Sequence, residues 1–343
     1  MVVPGSMPNI MRSFANFIYF CRMFTVSRKA KQFLVLIAKL LIVGGAFYFI
    51  YDRIAQNDQL DWGRLTHAIT RSGSWFIIAV IILLSFLNRF LEILKWQNLI
   101  ASFKVIAAGK AAEQVLASLT AGMFTPNGVG EYAAKALYYP KSQAKNIVFL
   151  NLICNGAQLI IAVFAGLAGL LAFNTLYTIV PGSILFIIIT ALAAVIVVVF
   201  ASRKITVRGY SIQRFFQNIN AIPGYILRKN ALLAVARYLS IVHQHYFIFV
   251  LFGVHLPYLV MISAIAGVYF LGSSLPTFQF LDFAVRGSVA VYFFGIPGVN
   301  EWIVVFAATL QWLLNIVIPV ILGSYFVFRF KPERVDNTDR GAL

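Results

Sequence analysis

The chain has 343 residues, 61% hydrophobic and only 11% charged, with a mean hydropathy of +0.85. A water-soluble domain devotes about a quarter of its residues to charge, so the solvent around most of this chain is lipid. The formal charge of +17 does not mark a nucleic-acid partner: the bases fall in short polar stretches between apolar runs, the positive-inside pattern.

Residues 1–32 read as an amphipathic tail on the cytoplasmic face, since Arg12, Arg22, Arg28, Lys29 and Lys31 occur there without an acid. The basic residues follow the apolar stretch 14–24 instead of preceding it, and no small-residue cleavage site is evident, so no cleavable signal peptide is expected. Met7, Met11 and Met23 leave the start codon open.

A membrane domain is expected over 33–327. It holds six apolar runs of the about 20 residues needed to cross a hydrocarbon core. They fall at 33–51, 75–95, 146–173, 178–200, 231–253 and 302–327. The 52–74 loop balances Asp52, Asp58 and Asp61 against Arg53, Arg64 and Arg71, and belongs outside. The 201–230 loop has Arg203, Lys204, Arg208, Arg214, Arg228 and Lys229 without an acid, and belongs inside. So does the short basic tail 328–343. Trp75 and Trp302 fall at predicted outer ends and Trp96 at an inner end, as interface anchors do.

Two regions remain, 106–140 and 257–297, each with two apolar arms around a proline-containing break. The first break reads Thr125-Pro126-Asn127-Gly128-Val129-Gly130-Glu131, with Lys135 four residues after the acid. The second reads Leu275-Pro276-Thr277-Phe278, then Asp282 with Arg286 four residues on. Broken backbone at membrane depth survives only where protein or water satisfies its freed polar groups. Each region reads as a re-entrant helical hairpin or as two thin crossings; charge counting gives both the same parity. The first hairpin, flanked by Lys104, Lys110, Lys141 and Lys145, opens from inside, and the second from outside. The fold expected is an all-α polytopic membrane protein with six full spans and two hairpins, N-in and C-in. The halves 33–173 and 174–327 form an inverted repeat, and paired broken helices in such repeats point to a transport site. Ala117/Ala121, Ser118/Gly122 and Ser263/Gly267, each four apart, suit close packing of the entering arms.

Ionisable groups at membrane depth cost about 2.5–3.5 kcal/mol each on insertion scales, so they face a cavity or one another. Glu131 with Lys135 and Asp282 with Arg286 have the i,i+4 spacing of an ion pair. Each pair reads either as simple internal neutralisation or as part of a substrate site. Arg286 stands in an otherwise apolar arm, and a guanidinium forks onto phosphate through two bonds, so it is the leading candidate for holding a lipid headgroup. The helix starting near Gly128, with Gly130 behind it, would aim free amides at the break as a second anion site. Arg89 and Glu92, three apart, line the same cavity or form an ion pair near the inner headgroups with Lys95. Arg237 is expected to snorkel to the inner face. Gln311 and Asn315 are expected to bond between helices. His243 and His245 point to different faces of one helix and read as packing residues. No metal-ligand cluster, no catalytic constellation and no Walker-type loop is present, so no metal, cofactor or ATP hydrolysis is expected. Cys21 and Cys154 suggest no disulfide framework.

At these residues the chain resembles the lysylphosphatidylglycerol synthase transmembrane (flippase-like) family. Its members carry a Thr-Pro-Gly/Asn-x-x-Gly-Glu stretch followed by small and basic residues, matched here by Thr125, Pro126, Gly130, Glu131 and Lys135. A second family stretch has a proline, a glycine-rich acidic turn and Val-Arg-Glu. Pro276, Asp282, Val285 and Arg286 stand in those places, with Gly287 replacing the closing acid. The resemblance covers about 33–327. It implies a multi-pass protein of a bacterial-type cytoplasmic (inner) membrane that moves an anionic or aminoacylated phospholipid, or a lipid-linked precursor, between leaflets. Larger members add a soluble aminoacyl-transferase domain. The chain runs only briefly past its last span, so lysyl transfer would need a separate lipid- or glycan-modifying enzyme as partner. Two other readings are an intramembrane lipid-modifying enzyme with Glu131 or Asp282 as acid or base, and a non-catalytic scaffold for such an enzyme.

Overall fold

The computed structural model describes residues 63, 70, 74–123, 125, 128–178, 181–201, 206–207, 210–274 and 282–330. All of them belong to the larger of two compact units, Ala46–Leu343. The predicted tail 1–32, the span 33–51, both break prolines Pro126 and Pro276, and the tail from 331 onward lie outside the described residues.

Helices joined by short turns and loops make up the described residues, apart from a short antiparallel ladder that pairs Thr206 with Ser211 and Val207 with Tyr210. Helix α1 spans Ser74–Ile100, α2 Ala108–Gly122, α3 Val129–Ala136, α4 Ala144–Tyr177, α5 Gly182–Ala201 and α6 Ile212–Asn220. Then follow α7 Gly224–Leu251, α8 Tyr258–Ser274, α9 Asp282–Gly295, α10 Glu301–Trp312 and α11 Ile318–Arg329, with a π-helical turn at Leu313–Val317 joining the last two.

Among the described residues, three stretches are long and apolar enough to cross a membrane: Ser74–Ile100, Lys141–Tyr177 and Glu301–Arg329. The 27 residues of α1 reach about 40 Å at 1.5 Å per residue, more than the about 30 Å of a hydrocarbon core. These stretches contain the predicted runs 75–95, 146–173 and 302–327. α5 and α7 occupy the runs near 178–200 and 231–253. α7 starts well before 231, because Ile226 is buried and its carbonyl accepts from Asn98 Nδ2 at 2.8 Å. The two proline-containing regions each become a pair of arms, α2 with α3 and α8 with α9. At 15, 8, 17 and 14 residues, every arm falls short of the about 20 residues that a crossing takes.

Large apolar side chains such as Phe86, Phe164 and Phe186 cover the outside of these helices, while Asn88, Glu92, Lys95, Asn151 and Gln244 are buried. That distribution suits lipid as solvent, where close packing and internal hydrogen bonds hold helices together. α1 and α7 cross antiparallel: Asn98 bonds α7 at Ile226, Asn88 bonds Arg237, and Gln244 bonds Ile81. α11 lies on α2, and α4 lies on α8. Small residues make both of these contacts close. A Cβ on Gly323 would collide with the carbonyl of Leu116 and the hydroxyl of Thr120. One on Gly169 would lie 2.6 Å from Ala266 Cβ and 3.0 Å from the Ser263 carbonyl. Thr120 Oγ1 adds a bond to Val320 O across the first contact, at 3.2 Å. The expected closeness of Ser263 and Gly267 is met, Gly267 against the ring of Phe293.

Candidate functional site

A cavity of about 220 Å³ opens where α1, α4, α7, α8, α9 and α10 meet. Its charged wall is Arg89, Arg237, Asp282 and Arg286. Glu92 stands just behind, bonded to Arg89 and, at 3.3 Å, to Arg237. Three guanidiniums face two carboxylates, leaving one net positive charge.

Local sequence explains how α1 builds its share. Ser85, Asn88, Arg89 and Glu92 repeat at the three-and-four spacing that puts side chains on one helix face. That face meets the π-helical turn. A π turn shifts backbone bonding by one residue, and Pro319 brings no amide. The carbonyls of Leu314 and Asn315 therefore lose the donor that Pro319 would supply, at π and α spacing respectively. Ser85 Oγ bonds the Leu314 carbonyl at 3.1 Å, and the Arg89 guanidinium bonds that of Asn315. Asn88 then links Asn315 Oδ1 at 2.6 Å to Arg237 Nε at 3.0 Å. Asn315 Nδ2 donates to Gln244 Oε1 at 2.8 Å, and Gln311 Nε2 to Tyr269 Oη at 2.7 Å. The expected interhelical bonding of Gln311 and Asn315 is present, within a larger network.

The three arginines are not equivalent. Arg89 and Arg237 are committed to the framework through Glu92, Asn315 and Asn88. Arg286 uses only its Nε, which donates to both Asp282 oxygens at 2.8 Å, and its guanidinium lies 4.8 Å over the ring of Tyr269. Its two terminal nitrogens make no hydrogen bond among the described residues. Gly272 makes room for the stem, since a Cβ there would come within 2.8 Å of Arg286 Cγ. Toward the described residues, the fork is held at Nε and open at its two terminal nitrogens.

Four other residues on the wall carry buried, unsatisfied atoms. Arg89 Nε, Tyr238 Oη, Gln311 Oε1 and both ring nitrogens of His245 have no hydrogen-bond partner among the described residues. Leaving such an atom dry costs about 1–3 kcal/mol, so a polar guest has reason to occupy the space.

Of the predicted site residues, Arg286, Asp282 and Arg89 share this wall, and Glu92 supports it. Gly128, Gly130, Glu131 and Lys135 stand outside it. Two expectations about the first break are corrected. Gly128 does start α3, in a left-handed conformation (φ 67°) that suits glycine, but the helix end is already capped. Thr125 Oγ1 accepts from the Gly130 amide at 2.8 Å and the Gly128 carbonyl from that of Glu131 at 2.9 Å, so few amides are left for an anion. The Glu131–Lys135 ion pair is also absent: Lys135 donates to Asn151 Oδ1 at 2.7 Å and sits 4.7 Å over the ring of Trp96. Asp282–Arg286 is the i,i+4 pair that forms.

Arg237 does not snorkel; its head turns inward because Asn88 and Glu92 offer acceptors. Lys95 likewise turns inward, to Gln158 Oε1 at 3.2 Å. His243 behaves as a packing residue, bonding Leu239 O and Tyr258 Oη. His245 packs too, stacked on Phe249 and edge-on to Tyr269, and in addition it lines the cavity. The signal for the missed residues is the polar spacing of Arg237, Gln244 and His245 on α7, which continues the pattern of α1 across the crossing.

The site is thus the buried ionic centre of a helical protein whose described residues include three long apolar candidate membrane spans. No protein-family model matches the chain, and no curated protein matches it.

Proposed function

We propose that this chain is a multi-pass protein of a bacterial-type inner membrane that moves a phospholipid, or a lipid-linked precursor with an anionic or aminoacylated headgroup, between leaflets. The observation that carries the reading is Arg286: a guanidinium anchored through Nε, stacked on an aromatic ring, with its fork open to a cavity of net positive charge. Such a fork suits the two-bond recognition of phosphate. At about 220 Å³ the space lies below the about 300–1,000 Å³ typical of whole-ligand pockets. It suits a headgroup whose acyl chains remain in lipid.

An inverted repeat underlies this reading, and the packing supports it. Exchanging α1, α2, α3 and α4 for α7, α8, α9 and α10–α11 turns each principal contact into another. The α2–α11 contact becomes α8–α4, the α2–α3 pair becomes α8–α9, and α1–α7 maps onto itself. Each hairpin leans on the last helix of the opposite half. The elements expected to move together are therefore a hairpin and its exchanged partner, rather than a half as a block. The resemblance to the lysylphosphatidylglycerol synthase transmembrane family points to the same class of substrate. A separate lipid- or glycan-modifying enzyme would be the partner that supplies or consumes it.

The test is leaflet exchange of a fluorescent phosphatidylglycerol in vesicles holding the purified protein. Exchange at least tenfold above protein-free vesicles, lost in Arg286→Gln, is expected. Unchanged asymmetry with the folded wild type, under an imposed proton gradient or potential, would refute the reading.

A further inference from the structure

A second cavity, of about 370 Å³, lies away from the ionic centre. It forms where the chain leaves α1 and α11, enters α2 and leaves α3, and its charged lining is Lys104, Lys110, Glu113 and Arg329. Three bases oppose one acid, and that acid is already taken: Lys110 Nζ bonds Glu113 Oε2 at 2.9 Å. Lys104 and Arg329 make no ion pair among the described residues. Tyr138 forms an aromatic wall, with Lys110 5.2 Å over its ring and Phe330 edge-on at 4.7 Å.

The surroundings are apolar and outward-facing. Ile106, Tyr138, Tyr139 and Phe330 also line the cavity, and Val105, next to Lys104 in sequence, is 84% exposed. A basic pocket walled by Ile106 and the rings of Tyr138, Tyr139 and Phe330 meets two requirements of a phospholipid at once, charge for the phosphate and apolar contact for the upper acyl chains. A soluble anion would use only the first. The counted charges place this end of the helices at the cytoplasmic face, where anionic lipids concentrate.

We infer that this pocket binds the phosphate of an anionic phospholipid from the adjacent leaflet, as a resident lipid and not as transported cargo. It ties the base of the first hairpin to the end of α11, two elements already in contact deeper in the membrane through Thr120 and Val320. The site is independent of Arg286, so it stands or falls separately from transport.

The experiment is native mass spectrometry of the full chain in detergent, titrated with phosphatidylglycerol, phosphatidylcholine or inorganic phosphate. Wild type should retain at least one phosphatidylglycerol tightly, with at least tenfold preference over phosphatidylcholine. Lys104→Gln/Arg329→Gln should weaken that binding at least tenfold, whereas Arg286→Gln should leave it within twofold. Glu113→Gln frees Lys110 and should tighten it, a gain that misfolding cannot imitate. Equal retention by wild type and the double variant would overturn the proposal. Displacement of the lipid by millimolar inorganic phosphate would overturn the lipid assignment in favour of a soluble anion.

Discussion

The guanidinium of Arg89 bonds the backbone carbonyl of Asn315, the one that Pro319, four residues further on, leaves without its α-helical amide. The same side chain holds Glu92. One residue thus closes a gap in the last span and neutralises a buried carboxylate on α1.

Arg89→Gln leaves Glu92 paired with Arg237 but strands the Asn315 carbonyl, and should destabilise the protein by about 1–3 kcal/mol, the cost of an unsatisfied buried acceptor. The measurement is the thermal midpoint in detergent. Replacing the carboxylate as well, Arg89→Gln/Glu92→Gln, should not recover the loss, because Arg237 then loses its carboxylate partner.

Pro319→Ala returns an amide to the π-helical turn and should make Arg89 less necessary. The cost of Arg89→Gln in that background should fall by about 1 kcal/mol, the worth of one hydrogen bond. A double-mutant cycle on unfolding midpoints reads this coupling. Strict additivity would show that the carbonyl does not depend on Arg89.

Arg286→Lys keeps the charge and loses the fork. Headgroup retention at the ionic centre should drop at least tenfold with little change in thermal midpoint. Tyr269→Phe preserves the ring beneath the guanidinium but removes the acceptor of Gln311 Nε2. It should cost about 1 kcal/mol of stability and leave retention nearly intact.

Gly323→Leu should break the α2–α11 contact, since even a Cβ collides with the carbonyl of Leu116. A loss of about 1–3 kcal/mol is expected from overpacking, read as a lower thermal midpoint.

Orientation is checked with single cysteines in a background of Cys21→Ser and Cys154→Ala. Glu301→Cys, at the start of α10, should react with a membrane-impermeant maleimide in intact cells. Lys104→Cys should react only after permeabilisation. Labelling of both from one side would contradict the expected sidedness.

Much of the helical framework was legible because lipid makes it so: a span must be a long apolar run, and the runs at 75–95, 146–173 and 302–327 had no other use. The arms flanking Pro126 and Pro276 were legible for the complementary reason, being apolar yet too short. Side-chain direction was not. Arg237 and Lys95 have stems long enough to reach either an interface or an internal acceptor, and only the positions of Asn88, Glu92 and Gln158 on other elements decide. Lys135 missed its carboxylate for the same reason, since Asn151 comes from a helix packed beside it. His245 was hidden by the opposite problem. Its ring nitrogens have no hydrogen-bond partner among the described residues that would have given them away.

The exchange of partners between hairpins and terminal helices has a consequence for biogenesis. α2 leaves the ribosome some 200 residues before Val320, whose carbonyl accepts from the Thr120 hydroxyl. Until translation delivers α11, the face of α2 that will receive Gly323 has no native cover. Closure of so long a loop is slow and exposes the nascent chain to misassembly. An insertase or chaperone that shelters this arm would speed maturation, and C-terminal truncation should strand the first hairpin well before it harms α8 on α4.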